Sequence, residues 1–135
     1  MQLDFSSFVR SVDRLKEGLE RYNCETADTL IRDGLIQRFE FTYDLAHKML
    51  RSQLESVSTN PDQVDRLSFA DLIKSVTEQG LIKSNWSEWR TWREMRSTSS
   101  HTYDEAKALQ VVDGIPDFLT EAQDLAERSH VVRYV

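Results

Sequence analysis

The amino-acid sequence predicts an all-α protein, an up-and-down antiparallel bundle of about five helices. Three observations carry that reading. Apolar residues recur at three- and four-residue steps through most of the 135-residue chain, the period of one face of an α-helix. Gly and Pro are scarce, four and two in all, so long stretches run without a breaker. Charged residues, 30% of the total, are spread evenly, and neither an internal repeat nor a low-complexity segment divides the sequence. Residues 1–135 therefore read as a single helical domain, long enough to bury a core without disulfides or a structural metal.

Leu3, Phe8, Val12, Leu15, Leu19 and Tyr22 mark the first helix, an apolar stripe that closes near Asn23. The second, from about residue 26 to 57, is the longest: no Gly or Pro occurs between Leu35 and Asn60, and Leu35, Phe39, Ala46, Met49 and Leu50 hold the stripe. It would span roughly 45 Å at 1.5 Å per residue, enough for the spine of a bundle. Asn60-Pro61-Asp62 ends it. Ile36, Phe41, Tyr43 and Leu45 lie outside its main stripe, an excess of apolar surface that predicts a two-fold homodimer. Ser68 with Asp71 starts a short third helix, for which Gly80 suits the C′ position. Asn85 with Glu88 caps the fourth, which runs to Ser97-Thr-Ser-Ser100. The fifth starts near Thr102, with Glu105 as its capping-box partner, and runs to about Ser129 with a kink expected at Gly114-Ile-Pro116.

A formal net charge of −6 argues against broad nucleic-acid affinity, so any RNA contact must be local or come from a dimer groove. The single cysteine, Cys24, has no internal disulfide partner and no metal-ligand spacing around it, and reads as a small buried residue. The opening Met1-Gln-Leu-Asp-Phe-Ser lacks the basic and apolar regions of a signal peptide, and no stretch approaches membrane-spanning length. These features point to a soluble protein of the cytoplasm, away from membranes.

The segment Arg96-Ser-Thr-Ser-Ser-His101-Thr-Tyr103 concentrates the chemistry. In an unbroken helix Arg96 and His101 would point about 140° apart, so they converge only if the helix ends between them. Four consecutive hydroxyl residues favour such an end, because their side chains compete for backbone hydrogen bonds. Arg96 then offers a permanent fork of donors to a phosphate, and His101 a group that titrates near neutrality. That pair suits RNA cleavage, with one group stabilising charge on a pentavalent phosphorus and the other moving the 2′-hydroxyl proton. The same residues also fit a helix C-terminal cation and a surface loop histidine.

Two further patterns need weighing. Trp86, Trp89, Trp92 and Met95 form one stripe of the fourth helix, read as core rather than as a stacking platform for bases, and Arg90, Arg93 and Arg96 form a second stripe about 100° away. Those arginines either contact a polyanion or pair with Glu88, Glu94 or Asp104 on a solvated face. Glu40, Asp44 and His47 lie on neighbouring turns, but a dimetal bundle needs the Asp-x-x-His spacing twice, and neither His101 nor His130 has an acid three residues before it. No metal and no cofactor is expected.

Ile31-Arg-Asp-Gly-Leu-Ile-Gln-Arg-Phe-Glu-Phe-Thr-Tyr-Asp-Leu-Ala-His-Lys-Met-Leu50 followed by Arg96-Ser-Thr-Ser-Ser-His-Thr-Tyr-Asp-Glu105 closely resembles the nucleotidyltransferase substrate-binding proteins, a HEPN-superfamily group that includes HepT-like toxins. The resemblance covers nearly the whole chain. It implies a dimeric HEPN-like helical bundle paired with a minimal nucleotidyltransferase antitoxin. By it, Arg96 and His101 resemble the Arg-x4-His pair of a metal-independent ribonuclease acting on RNA, with Ser97 as a substrate-binding candidate, to which the arginine stripe adds Arg93 and Arg90. Relatives often carry asparagine where Ser97 stands, and serine retains a hydrogen bond to phosphate. Tyr103 resembles the tyrosine that a partner adenylylates in some members, taking AMP from ATP. The alternative that the resemblance carries is a non-catalytic nucleotide- or substrate-binding subunit of a two-component nucleotidyltransferase. Whether Tyr103 reaches solvent or packs on the bundle is open at this level.

Overall fold

Long uninterrupted apolar stripes give three long helices, and the shorter segments between breakers give the rest. The computed structural model describes residues 5–133, with side chains through residue 128. The order is α1 (Phe5–Cys24), α2 (Thr29–Val57), α3 (Pro61–Val64), α4 (Phe69–Glu78), α5 (Trp86–Thr98), a 3-10 turn (Ser99–His101) and α6 (Glu105–Arg133), with no strand among the described residues. α1 packs mainly on α2, α6 lies against both, and α5 rests on α6 while α4 bridges α2 and α5. No described helix is long and apolar enough to cross a membrane. Leu3, expected in the first helix, and the side chains of Ser129 and His130 fall outside the described residues.

The core forms where the stripes meet. Phe8 and Leu15 of α1, Leu35, Phe39, Met49 and Leu50 of α2, Leu72 and Ile73 of α4, Trp89 of α5, and Ile115, Phe118 and Leu125 of α6 are all fully enclosed. Each contributes about 1.5–3 kcal/mol from burial alone. The tryptophan stripe belongs to this core: Trp89 and Trp92 meet edge to face at 5.0 Å, and Phe118 stacks edge-on to Phe39 at 5.0 Å. Trp89 brings its indole N–H inside, where it donates to Ser84 Oγ at 2.9 Å, and Ser84 in turn donates to Glu121 Oε2 at 2.6 Å. Burial pushes the Glu121 carboxyl above the usual carboxylate range.

Several boundaries and placements differ from the sequence expectation, each for a local reason. α2 begins at Thr29 rather than near 26, because the Asp28 carboxylate accepts from the backbone of Leu30 and Ile31 at 2.9 and 3.1 Å. Pro61 not only ends the preceding helix but opens α3, its fixed φ suiting a first helical turn. α6 begins at Glu105, not Thr102: the Asp104 carboxylate accepts from the Lys107 N–H at 3.2 Å and takes the capping role. Glu105, expected to face back onto Thr102, instead binds the buried Arg32 of α2 at 2.8 Å. α6 continues through Gly114 and Pro116 without interruption. Gly114 lets α5 approach closely, since a Cβ there would collide with Met95 Sδ. The caps at Ser68 and Asn85 form as expected, and Gly80 adopts φ +73° after α4. Cys24 is exposed rather than buried, because α1 ends at it, beyond the last buried residue, Tyr22. Ile36 and Tyr43 are likewise core residues, so only Phe41 and the half-buried Leu45 remain of the outward apolar set that predicted a dimer.

Candidate functional site

The helix α5 ends where its hydroxyl run begins to bond the backbone. Ser99 Oγ lies 2.6 Å from the Arg96 carbonyl and 2.8 Å from Glu40 Oε2, its one proton serving either acceptor. The chain tightens into the 3-10 turn, so Arg96 stands in the last turn of α5 and His101 on the turn that follows. Both side chains then line one shallow depression of 480 Å³, together with Arg93, Ser97, Ser100 and a floor of Tyr43, His47 and Phe69.

Arg96 is held rather than free. Its Nε and Nη2 donate to the two oxygens of Asp44 at 3.0 and 3.1 Å, a bidentate pair, while Nη1 reaches Glu40 Oε2 at 2.8 Å and Ser99 Oγ at 3.3 Å. Glu40 and Asp44 sit one turn apart on α2 and so share a face toward α5. The hydrogen bonds to Asp44, with the charges of Asp44 and Glu40, hold the guanidinium pKa above its ordinary value despite partial burial. Of five N–H donors, one on Nη2 remains for a ligand.

His101 is exposed, and its Nδ1 lies 3.3 Å from the Tyr103 hydroxyl, with the two rings edge to face at 5.9 Å. Nε2 has no partner among the described residues. Tyr103 is 86% exposed, which decides between the two placements left open by the sequence: it stands in solvent. Arg93 lies over the Phe69 ring, 5.6 Å from its centroid, and forms no ion pair among the described residues. Ser97 is exposed on the rim of the depression. Arg90 is not brought in with the others. It points to solvent one turn earlier and pairs with Glu94 at 3.5 Å.

The floor is dry. His47 Nε2 is buried without a hydrogen-bond partner, and its ring meets Phe69 edge-on at 4.6 Å. Burial, followed by the Arg51 charge, lowers its pKa, so the imidazole is neutral. Burial pushes the Tyr43 phenol up to about 12. Glu40, Asp44 and His47, weighed as metal ligands from their spacing, are directed differently: the two acids hold Arg96, and no group of three His, Cys, Asp or Glu among the described residues is gathered to hold a metal. Sequence reasoning missed Glu40, Asp44 and Ser99 as the groups that aim Arg96. The available signal was a pair of acids at i and i+4 on one buried helix with a matching arginine at the end of another.

The arrangement offers an aimed cation, a second unpaired cation and a solvent-facing imidazole within one depression. The chain as a whole is similar to known proteins. A sequence profile described as "Nucleotidyltransferase substrate binding protein like" matches residues 3–131. A Haemophilus influenzae protein named "Probable ribonuclease HepT" is 43% identical over 101 residues, which is 75% of this chain and 68% of that protein. A solved Haemophilus influenzae structure, described as the fold of a substrate binding domain of a nucleotidyltransferase, superposes with a TM-score of 0.86 at 30% identity, over 93% of this chain and 98% of that one.

Proposed function

We propose that this chain, which belongs to the nucleotidyltransferase substrate binding protein-like family, is a HepT-like ribonuclease toxin of the cytoplasm, acting as one domain and neutralised by a minimal nucleotidyltransferase antitoxin. The single observation that carries this reading is that Arg96, Arg93 and His101 line one depression, with Arg96 aimed by Glu40 and Asp44 and His101 open to solvent. His101 takes the proton of a ribose 2′-hydroxyl as the 2′-oxygen forms a bond to phosphorus. The bond from phosphorus to the 5′-oxygen then breaks, and that oxygen receives the proton. The products are a 2′,3′-cyclic phosphate and a 5′-hydroxyl, and no metal-bound water is required. Arg93 and the remaining Arg96 donor stabilise charge on the equatorial oxygens, with Ser97 as a hydrogen-bond donor at the rim. A two-fold dimer that sets two such sites beside one groove is part of this reading, and sedimentation at micromolar concentration checks it.

The test is His101→Ala. RNA cleavage and cell toxicity should vanish while the melting temperature stays within a degree or so, since His101 is exposed and off the core. Retained cleavage by a clean preparation would sink the mechanism.

A second reading has an observation in its favour: Arg96 is already neutralised by two carboxylates, which suits a subunit that holds a nucleotide without reacting with it. Under that reading His101→Ala leaves nucleotide affinity intact and the wild type cleaves nothing. Exposure of the Tyr103 hydroxyl supports modification there by the partner, the phenol oxygen attacking the α-phosphorus of ATP as pyrophosphate leaves. AMP on Tyr103 would place negative charge and a base across the depression. Co-expression should add one or more adenylyl masses to wild type and none to Tyr103→Phe.

A further inference from the structure

A second cationic feature lies outside the depression. Arg10 and Arg14 sit one turn apart on α1, and Arg38, Phe41, Leu45 and Lys48 form one stripe of α2 at helical spacing. These two faces enclose an open groove of 540 Å³, closed beneath by a 2.6 Å hydrogen bond between Ser11 and Thr42. None of the four cations forms an ion pair among the described residues. Arg38 Nη1 donates to the Arg14 carbonyl at 2.8 Å, which lays its guanidinium along the groove without neutralising it. Phe41, 56% exposed, stands among them. Among the described residues, the one acid lining the groove is Asp44, whose carboxylate already binds Arg96.

We infer that this groove is the track for single-stranded RNA, holding the phosphodiester backbone on Arg10, Arg14, Arg38 and Lys48 and stacking a base on Phe41. An exposed aromatic among unpaired cations is the arrangement that binds single strands without reading sequence. The chain carries a net charge of −6, so unpaired cations gathered in one groove concentrate attraction where the rest of the surface repels. Asp44 links the two sites, lining the groove while its carboxylate grips Arg96 of the depression. A two-fold contact centred here would set four cations, unpaired among the described residues, against their own copies, so Phe41 and Leu45, the remainder of the apolar set that predicted a dimer, are assigned to the RNA and not to the dimer contact. The inference rests on the proposed RNA substrate and extends it to where the strand runs.

The experiment measures binding apart from cleavage. A fluorescein-labelled single-stranded RNA of about ten nucleotides is titrated with the His101→Ala protein, by anisotropy, across a salt series. Adding Arg14→Glu with Lys48→Glu should weaken binding at least ten-fold at about 100 mM salt and flatten the salt slope by about 0.7 for each phosphate no longer held. Phe41→Ala should weaken it roughly ten-fold and Phe41→Tyr should restore it. Lys74→Glu, exposed on α4 away from the groove, should change affinity less than about two-fold. Equal losses from Lys74→Glu and the groove variants would reduce the effect to net charge and overturn the inference. So would no measurable RNA binding, or groove variants that shift sedimentation and leave RNA affinity alone, which would mark a self-association face. Groove-dependent binding by a protein whose wild type cleaves nothing would keep the track and remove the nuclease. Cleavage by wild type with groove-independent binding would do the reverse.

Discussion

Arg96 and Arg14 carry the same guanidinium in opposite settings. At the end of α5, two carboxylates and a hydroxyl take four of the donor positions of Arg96 and fix its direction. Across α2, the cations of the α1–α2 groove have no acidic partner among the described residues. A paired cation is a poor attractor, because its field is cancelled within a few ångströms, but it is well aimed. An unpaired cation attracts over a Debye length of about 8–10 Å and is aimed at nothing. Position and attraction are therefore separate jobs, which an acidic chain has divided between adjoining faces of one helix.

The largest expected effect attacks the aimed side. Arg96→Lys keeps the charge but loses the bidentate fork, so the proposed cleavage should fall at least a hundred-fold, about the loss seen when one transition-state donor is removed. RNA affinity should fall far less. If affinity and cleavage fell together, the separation of roles would be wrong. Next is Asp44→Asn, which removes the charge opposite Arg96 but keeps a hydrogen-bonding amide. It should lower stability by about 1 kcal/mol, the upper end for a part-exposed pair, raise RNA affinity by freeing the cation, and still slow cleavage by loosening its aim.

Most of the frame was legible in the chain, for reasons that also explain what was not. Leu35, Phe39, Ala46, Met49 and Leu50 recur at the helical period, and all five are buried in α2. The helix end between Arg96 and His101 was readable from the serine run because that competition is local. The partners of Arg96 lie 52 and 56 residues earlier, so their spacing suggested a metal motif before the packing of α5 against α2 showed them facing an arginine. Glu105 was expected to cap its own helix and binds Arg32 instead, a tertiary contact overriding a local one. The groove cations were visible individually, yet only the pairing of α1 with α2 gathers them.

A smaller effect reports on how dry the aimed side is. His47 is held neutral by burial, so below about pH 6.5, where an unfolded histidine takes up a proton, the unfolded state binds more protons than the folded one. Stability therefore falls as pH falls. The melting temperature of wild type should drop relative to His47→Gln on acidification, and parallel curves would mean that the floor is wet. The smallest effect is expected at Arg90→Gln. Its pair with Glu94 is largely exposed and it lies off both the depression and the groove, so stability and RNA affinity should shift by no more than about 0.5 kcal/mol and two-fold.

The chemistry assigned to Arg96 and His101 is tested most directly by mass spectrometry of the RNA ends left by the wild-type protein in a chelator, with His101→Ala alongside. The expected result is paired 2′,3′-cyclic phosphate and 5′-hydroxyl ends from wild type, none from His101→Ala, and no scission at a position carrying a 2′-deoxyribose. Ends bearing a 3′-hydroxyl and a 5′-phosphate, or intact RNA after prolonged incubation with wild type, would contradict it.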